Sequence, residues 1–317
     1  MKDFPSIDVV VPVYEPGHAF MKLLRMLYSR ESVIRKVIVV VTRSENKALP
    51  DLQNYPGLII HAIEPEEFDH GRSRNLGMSY SDADFVIMMT QDAVPESTDF
   101  ALELLKAFDD EKVVAAYARQ LAREDAKPEE FYTRAYHYPE TSAVHSLSDA
   151  ETLGLDAFFL SDVCAMYRRS AFYDLGCFPF PVIFNEDMIF AHKALNAGYK
   201  IAYAADAHVI HSHDQNGKSQ YRRSFDMAVS HVLHPEVFGN LSAEGSGKAM
   251  MMFVIRELIK NGYLLSVPRY IYHCGMRFLG FRKGKKFKKY PEKTVLKCTM
   301  NRNFWRNYYG TDQSDRM

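Results

Sequence analysis

The chain has 317 residues, 47% of them apolar, and 39 Lys and Arg nearly cancel 40 Asp and Glu to leave a formal net charge of −1. That length suits one large α/β domain with an appendage, or two small domains, and gives ample material for a buried core, while the charge balance argues against a general nucleic-acid binder. No uncharged apolar run reaches the roughly 18 residues that span a bilayer, and four scattered cysteines behind a non-secretory start (Met1-Lys2-Asp3-Phe4) read as reduced cytosolic thiols.

Residues 7–13 (IDVVVPV) are too continuously apolar for a surface strand and are expected to be buried. Tyr14-Glu15-Pro16-Gly17 breaks that run, and residues 18–28 then carry apolar side chains at helical spacing. Further strands are expected at residues 37–41, 58–63 and 85–89, with helices at 72–80 and, after Ser97 and Thr98 as caps, at 99–108. Such alternation implies an α/β fold with a mainly parallel sheet flanked by helices, whose ligands gather at the carboxyl ends of the strands. Residues 118–151 are polar and aromatic and are expected to cover the sheet edge as helix and loop. A helix over 186–196 stops at Gly198, and residues 200–204 and 207–210 suggest two short strands. From Ser219 onward the pattern is helical, most clearly at 248–261 and 267–279, so a boundary near Gly217 divides a domain of residues 1–217 from an extension of 218–317.

Four stretches carry chemistry. Thr90-Gln91-Asp92-Ala93 follows the strand at 85–89, so Asp92 faces the ligand crevice, either to hold a hard divalent cation or to form the turn before Pro95. Phe68-Asp69-His70-Gly71-Arg72-Ser73-Arg74-Asn75 places a permissive glycine and two arginines at a helix start, which suits an anion such as phosphate or is an ordinary loop-to-helix junction. Glu186 and Asp187 open a helix; either they favour its dipole, or one takes a proton from a hydroxyl while the other, about 100° away around the axis, supports it. Asp187 is assigned as the base and Glu186 as its partner. Read as one strand, His208, His211 and His213 are expected on a common face that supplies a metal ligand or meets diphosphate oxygens.

Together these residues resemble the inverting family 2 glycosyltransferases of the GT-A (Rossmann-like) fold. Pro12-Val13-Tyr14-Glu15, the FDHGRSRN stretch, Thr90-Gln91-Asp92-Ala93, Asn185-Glu186-Asp187 and the HSH run occur in the family's order, across residues 6–234. The pairing of F-x-H-G-x-x-R-N with T-Q-D-A is similar to the rhamnosyltransferase branch, which builds bacterial cell-surface polysaccharide. The resemblance implies that Pro12, Val13, Tyr14, Glu15, Thr42, His70, Gly71, Arg72, Arg74, Asn75, Gln91 and Asp92 contact a nucleotide-sugar. It implies a donor-sugar and acceptor pocket floored by Ser161, Asp162, Val163 and Cys164, and a Mg²⁺ or Mn²⁺ ion on Asp92 and His213, with His211 the second choice. Gln91 occupies the first acidic position of the family's D-x-D-type element. Thr42 stands where family members often carry an acid that reads the nucleobase, so dTDP and UDP both stay open.

The expected activity is a metal-assisted single displacement of L-rhamnose from dTDP-rhamnose onto a lipid-linked or growing saccharide acceptor. A UDP-hexose or UDP-galactofuranose transferase of the same family and a catalytically silent nucleotide-binding scaffold are the alternatives. Between Arg269 and Lys297 many Lys and Arg face a single acid, Glu292, and alternate with aromatics including Tyr270, Tyr272, Phe278, Phe281, Phe287 and Tyr290. Such a tail either docks on an anionic membrane surface or is a solvated basic helix closing the fold. The expected location is cytoplasmic, with peripheral attachment to the inner face of the membrane.

Overall fold

The computed structural model describes residues 4–46, 49–50, 52, 55–212, 216–239 and 244–314. Contacts divide the chain into two compact units, one of residues 1–124, 137–179 and 186–212, the other of residues 125–136, 180–185 and 213–317.

In the first unit, nine strands among the described residues form one sheet. They are β1 (Ile7–Tyr14), β2 (Lys36–Thr42), β3 (Leu58–Ile63), β4 (Phe85–Met89), β5 (Val94–Pro95), β6 (Val113–Leu121), β7 (Ala143–His145), β8 (Cys164–Arg168) and β9 (Lys200–Ile210). Their order is β3-β2-β1-β4-β8-β6-β9-β5, with β7 on β9. β3, β2, β1 and β4 run parallel, as do β6 and β9, while β8 lies antiparallel between β4 and β6. The expected α/β layering, a mostly parallel sheet flanked by helices, is therefore what the chain adopts.

β1 explains the two-sided layering. Its alternation sends Ile7, Val9, Val11 and Val13 to the face covered by Phe20, Leu23, Leu24 and Leu27 of the His18–Leu27 helix. Val10 points the other way, against the His70–Ser79 helix, where a Cβ on Gly77 would lie 2.3 Å from Val10 Cγ1. Each fully buried aliphatic side chain contributes about 1.5–3 kcal/mol, so a strand buried on both faces forms the centre of the core.

Three sequence expectations are corrected. Residues 118–151 are not only helix and loop: β6 continues to Leu121, and β7 follows the Pro128–His137 helix. The two short strands at 200–204 and 207–210 are one, because β9 runs through a register shift in which Ala118 pairs with Ala204 and Arg119 with His208. The extra residues form a bulge that bends the strand without ending it. β8, like β5, β6 and β7, was not among the expected strands. Because β8 is inverted, its first residue, Cys164, pairs with the last residue of β4, Met89. The segment leading into β8 therefore arrives at the same edge as the carboxyl ends of the parallel strands.

The second unit is helical in its described residues, with most of Pro128–His137 and, later in the chain, Gly217–Leu233, Glu244–Lys260, Ser266–Gly284, Glu292–Cys298 and Arg302–Ser314 among its helices. The Gly217–Leu233 and Ser266–Gly284 helices touch backbone to backbone: a Cβ on Gly280 would lie 2.1 Å from Tyr221 O, and one on Gly284 2.3 Å from Phe225 O. Asp226 is buried there, accepting from Thr299 Oγ1 at 2.6 Å and from the Met300 N–H at 2.8 Å. Arg269 grips Glu129 with two bonds of 2.7 and 2.8 Å. Of the tail aromatics expected at a membrane, Tyr270 and Phe287 are each only 2% exposed and belong to the core.

Candidate active site

Sheet topology gathers most of the sequence-selected residues at one edge of the first unit. At the end of β1, Tyr14 and Gln91 clamp each other: the Tyr14 N–H donates to Gln91 Oε1 at 3.0 Å, and Gln91 Nε2 donates to Tyr14 O at 2.9 Å. Gln91 thereby ties the β1 terminus to the turn that carries Asp92, a task that an acidic side chain, lacking a donor, would not perform. Val13 is packed in the core, Pro12 is half-buried, and Tyr14 is exposed. Glu15 has a left-handed backbone (φ 47°) and accepts from Ser44 Oγ at 2.6 Å and Asn46 Nδ2 at 3.2 Å, just beyond Thr42 at the end of β2.

The His70–Ser79 helix starts where Asp69 caps it, accepting from the Gly71 and Arg72 N–H groups at 2.9 and 3.0 Å. Gly71 is required by space, since a Cβ would meet Pro179 O at 2.1 Å. Asn75 pins the same loop through paired bonds with the backbone of Phe178 at 3.0 and 3.1 Å. The two arginines separate in role. Arg72 is exposed, while Arg74 is buried, with Nε 3.0 Å from Asp162 Oδ2 and Nη1 3.0 Å from both Glu186 Oε1 and His70 O. His70 Nδ1 lies 3.9 Å from the same Glu186 oxygen.

Glu186 and Asp187 open the Glu186–Asn196 helix, and their roughly 100° separation sends them to different partners. Glu186 faces Arg74. Asp187 Oδ2 accepts the Asp162 N–H at 3.2 Å, and Oδ1 accepts the Met188 N–H at 2.8 Å. Tyr167 donates its hydroxyl to Asp162 Oδ1. Three carboxyl groups thus crowd one guanidinium. Burial, helped by Glu186 and opposed by Arg74 and Tyr167, pushes the Asp162 carboxyl up to about 7. Burial, then the neighbouring Glu186 and Asp162, hold Asp187 well above the usual carboxylate range, a condition that makes a carboxylate an effective base near neutral pH.

A second set surrounds Asp92. His211 Nε2 lies 3.6 Å from Asp92 Oδ1, and His211 Nδ1 is 3.0 Å from Gln120 Oε1. Gln120 Nε2 in turn donates to Ser161 Oγ at 2.9 Å. With its amide so oriented, Gln120 accepts from Nδ1–H and turns Nε2 toward Asp92. The expectation of a common histidine face is corrected: β9 ends at Ile210, and His208 instead meets Glu96 at 2.8 Å. Positions 208 and 211 are an odd number of residues apart, which in an extended chain reverses the face. His213 lies outside the described residues. Among the described residues no group of three or more His, Cys, Asp or Glu could hold a metal. A carboxylate and an imidazole facing each other still fit a hard divalent ion of the kind held by one or two protein ligands plus substrate phosphates.

The two sets are continuous. From Asp187 the contacts run through the Asp162 backbone to its neighbour Ser161, then to Gln120, His211 and Asp92. Gln120 and Tyr167 were not selected from the sequence. Gln120 is the next-to-last residue of the strand VVAAYARQL, whose apolar start was the available signal; nothing local marked Tyr167.

Residues 8–176 match the family model "Glycosyl transferase family 2". The chain is 33% identical over 306 residues to the O-antigen chain rhamnosyltransferase RfbN of Salmonella typhimurium, covering 95% of this chain and 96% of that protein. It is 34% identical over 315 residues to the O-antigen chain rhamnosyltransferase WbaN of Salmonella anatum, covering 96% of each. Among solved structures, the mannosyltransferase PcManGT from Pyrobaculum calidifontis, in complex with GDP-Man and Mn²⁺, aligns with a TM-score of 0.59 at 17% identity over 89% of this chain and 88% of that one. TarS from S. aureus in complex with UDP-GlcNAc aligns with a TM-score of 0.51 at 16% identity, over 90% and 91%. These two likenesses bear on the fold alone.

Proposed function

The chain belongs to glycosyl transferase family 2 and is a glycosyltransferase, and on that premise we propose that it moves L-rhamnose from dTDP-rhamnose onto a lipid-linked or growing cell-surface polysaccharide acceptor, with inversion. Two relatives named O-antigen chain rhamnosyltransferases, each similar over nearly the whole chain, support the donor sugar and the acceptor class. The observation that carries the mechanism is the unbroken line of contacts from Asp187 to Asp92. It joins a proton-accepting carboxylate to a carboxylate–imidazole pair suited to a diphosphate-bound cation.

In this reading Asp187 takes the proton of the attacking acceptor hydroxyl. The Asp162 N–H fixes the orientation of Asp187, and the Arg74–Glu186 pair keeps Glu186 turned away from the reacting centre. Asp92 and His211 would hold Mg²⁺ or Mn²⁺, which supplies charge neutralisation for the departing nucleoside diphosphate. Exposed Arg72, at the capped helix start, adds a cation for the same charge. The nucleotide rests along the end of β1 at Tyr14 and Glu15, and Ser161 and Val163 floor the pocket for the two sugars; Val13, Thr42, Asp162 and Cys164, expected there from the sequence, are buried and support this surface from behind. Residues 1–217 form the catalytic domain, and the basic helices of 218–317 rest on a membrane surface. Among the described residues no helix is long and apolar enough to cross a membrane.

A thermal-shift series with dTDP-rhamnose, dTDP, UDP-galactose and UDP-galactofuranose tests the donor. A ligand at 100 times its dissociation constant adds about 2.7 kcal/mol, so dTDP-rhamnose is expected to give the largest shift. A larger shift with a UDP-sugar would contradict the donor assignment.

A further inference from the structure

The exposed apolar side chains of the second unit are concentrated in one helical hairpin. The Glu244–Lys260 and Ser266–Gly284 helices are joined by a turn at whose tip Tyr263, Leu264 and Leu265 are 45, 61 and 97% exposed. A side chain of leucine's size left so open at a turn is not explained by packing within the unit. The second helix adds a stripe: Ile271, Phe278 and Leu279 are each at least half exposed and fall at i, i+7 and i+8, one face of a helix. The opposite face carries Gly280 and Gly284, which meet the Gly217–Leu233 helix. The stripe is therefore the side that the unit's own packing leaves open.

Charge identifies the occupant. Between Lys248 and Lys289 there are eleven Lys and Arg and one acid, Glu257. Glu257 is paired with Arg256 at 3.4 Å. A second copy of this chain would bring like charge against like charge, which destabilises such a contact. An anionic bilayer instead offers apolar depth for the leucines, an interfacial level for tyrosine and negative headgroups for the cations.

Resting on the membrane-surface reading above, we infer that this hairpin is an insertion device. The tip residues Tyr263, Leu264 and Leu265 enter the outer acyl region of an anionic membrane, with the Ile271–Phe278–Leu279 stripe lying along the interface. The device is narrower than the basic tail as a whole, since Tyr270 and Phe287 are committed to the core and only the outward residues take part.

Flotation of the full chain with vesicles of phosphatidylcholine alone, or with one third phosphatidylglycerol, tests the inference. The wild type is expected to float with the anionic vesicles. The double substitution Leu264→Ser and Leu265→Ser is expected to weaken that partition by about tenfold or more, since each methylene withdrawn from the bilayer counts separately. Its thermal midpoint should stay at the wild-type value, because neither side chain packs in the core. If the double variant floats as well as wild type while Arg282→Gln with Lys286→Gln does not, binding is electrostatic only and the insertion inference is overturned, with the membrane reading intact. If the wild type floats with neither vesicle, the membrane reading itself falls. Concentration-dependent dimerisation abolished by the leucine substitutions would overturn the inference in favour of a second copy.

Discussion

The backbone N–H of Asp162 donates to Asp187 Oδ2 at 3.2 Å, and the Asp162 carboxyl, buried beside it, is pushed up to about 7. One residue thus orients the proposed base with its amide and raises the base's proton affinity with its side chain. Asp187 must be ionised to accept a proton, so kcat is expected to fall as pH drops through the raised value. The acid limb should lie above the ordinary carboxylate value of about 4, and it belongs to the coupled cluster as a whole. Asp162→Asn keeps the amide but removes a negative neighbour, which should lower the Asp187 value and move the limb to lower pH. A kcat–pH profile checks this; a limb that stays in place or moves upward would contradict the coupling.

Arg74 holds Asp162, Glu186 and the His70 carbonyl at once. Arg74→Ala leaves buried carboxylates unpaired and is expected to destabilise the fold by about 3–5 kcal/mol. Arg74→Lys keeps the charge but loses the fork, and should fall between that variant and wild type. Denaturant unfolding measures both. A loss under about 1 kcal/mol for Arg74→Ala would be inconsistent with the buried ion pairs.

Gln120 has no route to substrate except through its neighbours, yet it sets which nitrogen of His211 faces Asp92. Outer partners of this kind are worth about 10–100-fold in metal affinity. Gln120→Leu is expected to raise the Mn²⁺ concentration for half-maximal donor turnover by that factor, with saturating activity largely kept. An unchanged midpoint would remove Asp92 and His211 from the proposed cation site.

Asp226 provides a stability signal away from the catalytic residues. Burial raises its carboxyl to about 6, against the hydrogen bonds from Thr299 and Met300. A folded value above the unfolded one of about 4 means that the folded state holds its proton more tightly. This contribution is present at low pH and lost as pH rises from about 4 through about 6. Thermal midpoints of wild type and Asp226→Asn should therefore converge or cross over that interval as pH increases. Parallel curves would contradict the assignment.

How much of this was legible depended on whether the signal was local. β2 and β4 are nearly continuous apolar runs and β1 is interrupted only by the buried Asp8, so all three announced themselves, as did the helix start at Glu186. β6 was missed although its first six residues, VVAAYA, form an unbroken apolar run; only Arg119 and Gln120, where the strand reaches the site, interrupt that character. β8 is five residues long and inverted, so it breaks the strand–helix alternation from which the other elements were read. The partnership of Arg74 with Asp162 and Glu186 is set by tertiary packing across β8, which leaves no trace in residue spacing. The FDHGRSRN stretch therefore suggested two phosphate-facing arginines, and the fold keeps only Arg72 exposed. The second unit recruits residues 125–136 and 180–185 from within the first unit's span, an interleaving that composition does not mark.

The central claim is that Asp187 accepts the acceptor's proton. Steady-state transfer from dTDP-rhamnose to a lipid-linked acceptor by Asp187→Asn tests it most directly, since the amide preserves size and its one oxygen can still accept either the Asp162 or the Met188 N–H. A fall in kcat of about 10²–10⁴-fold, with dTDP binding unchanged by thermal shift, is the expected result. Transfer at the wild-type rate would contradict the claim.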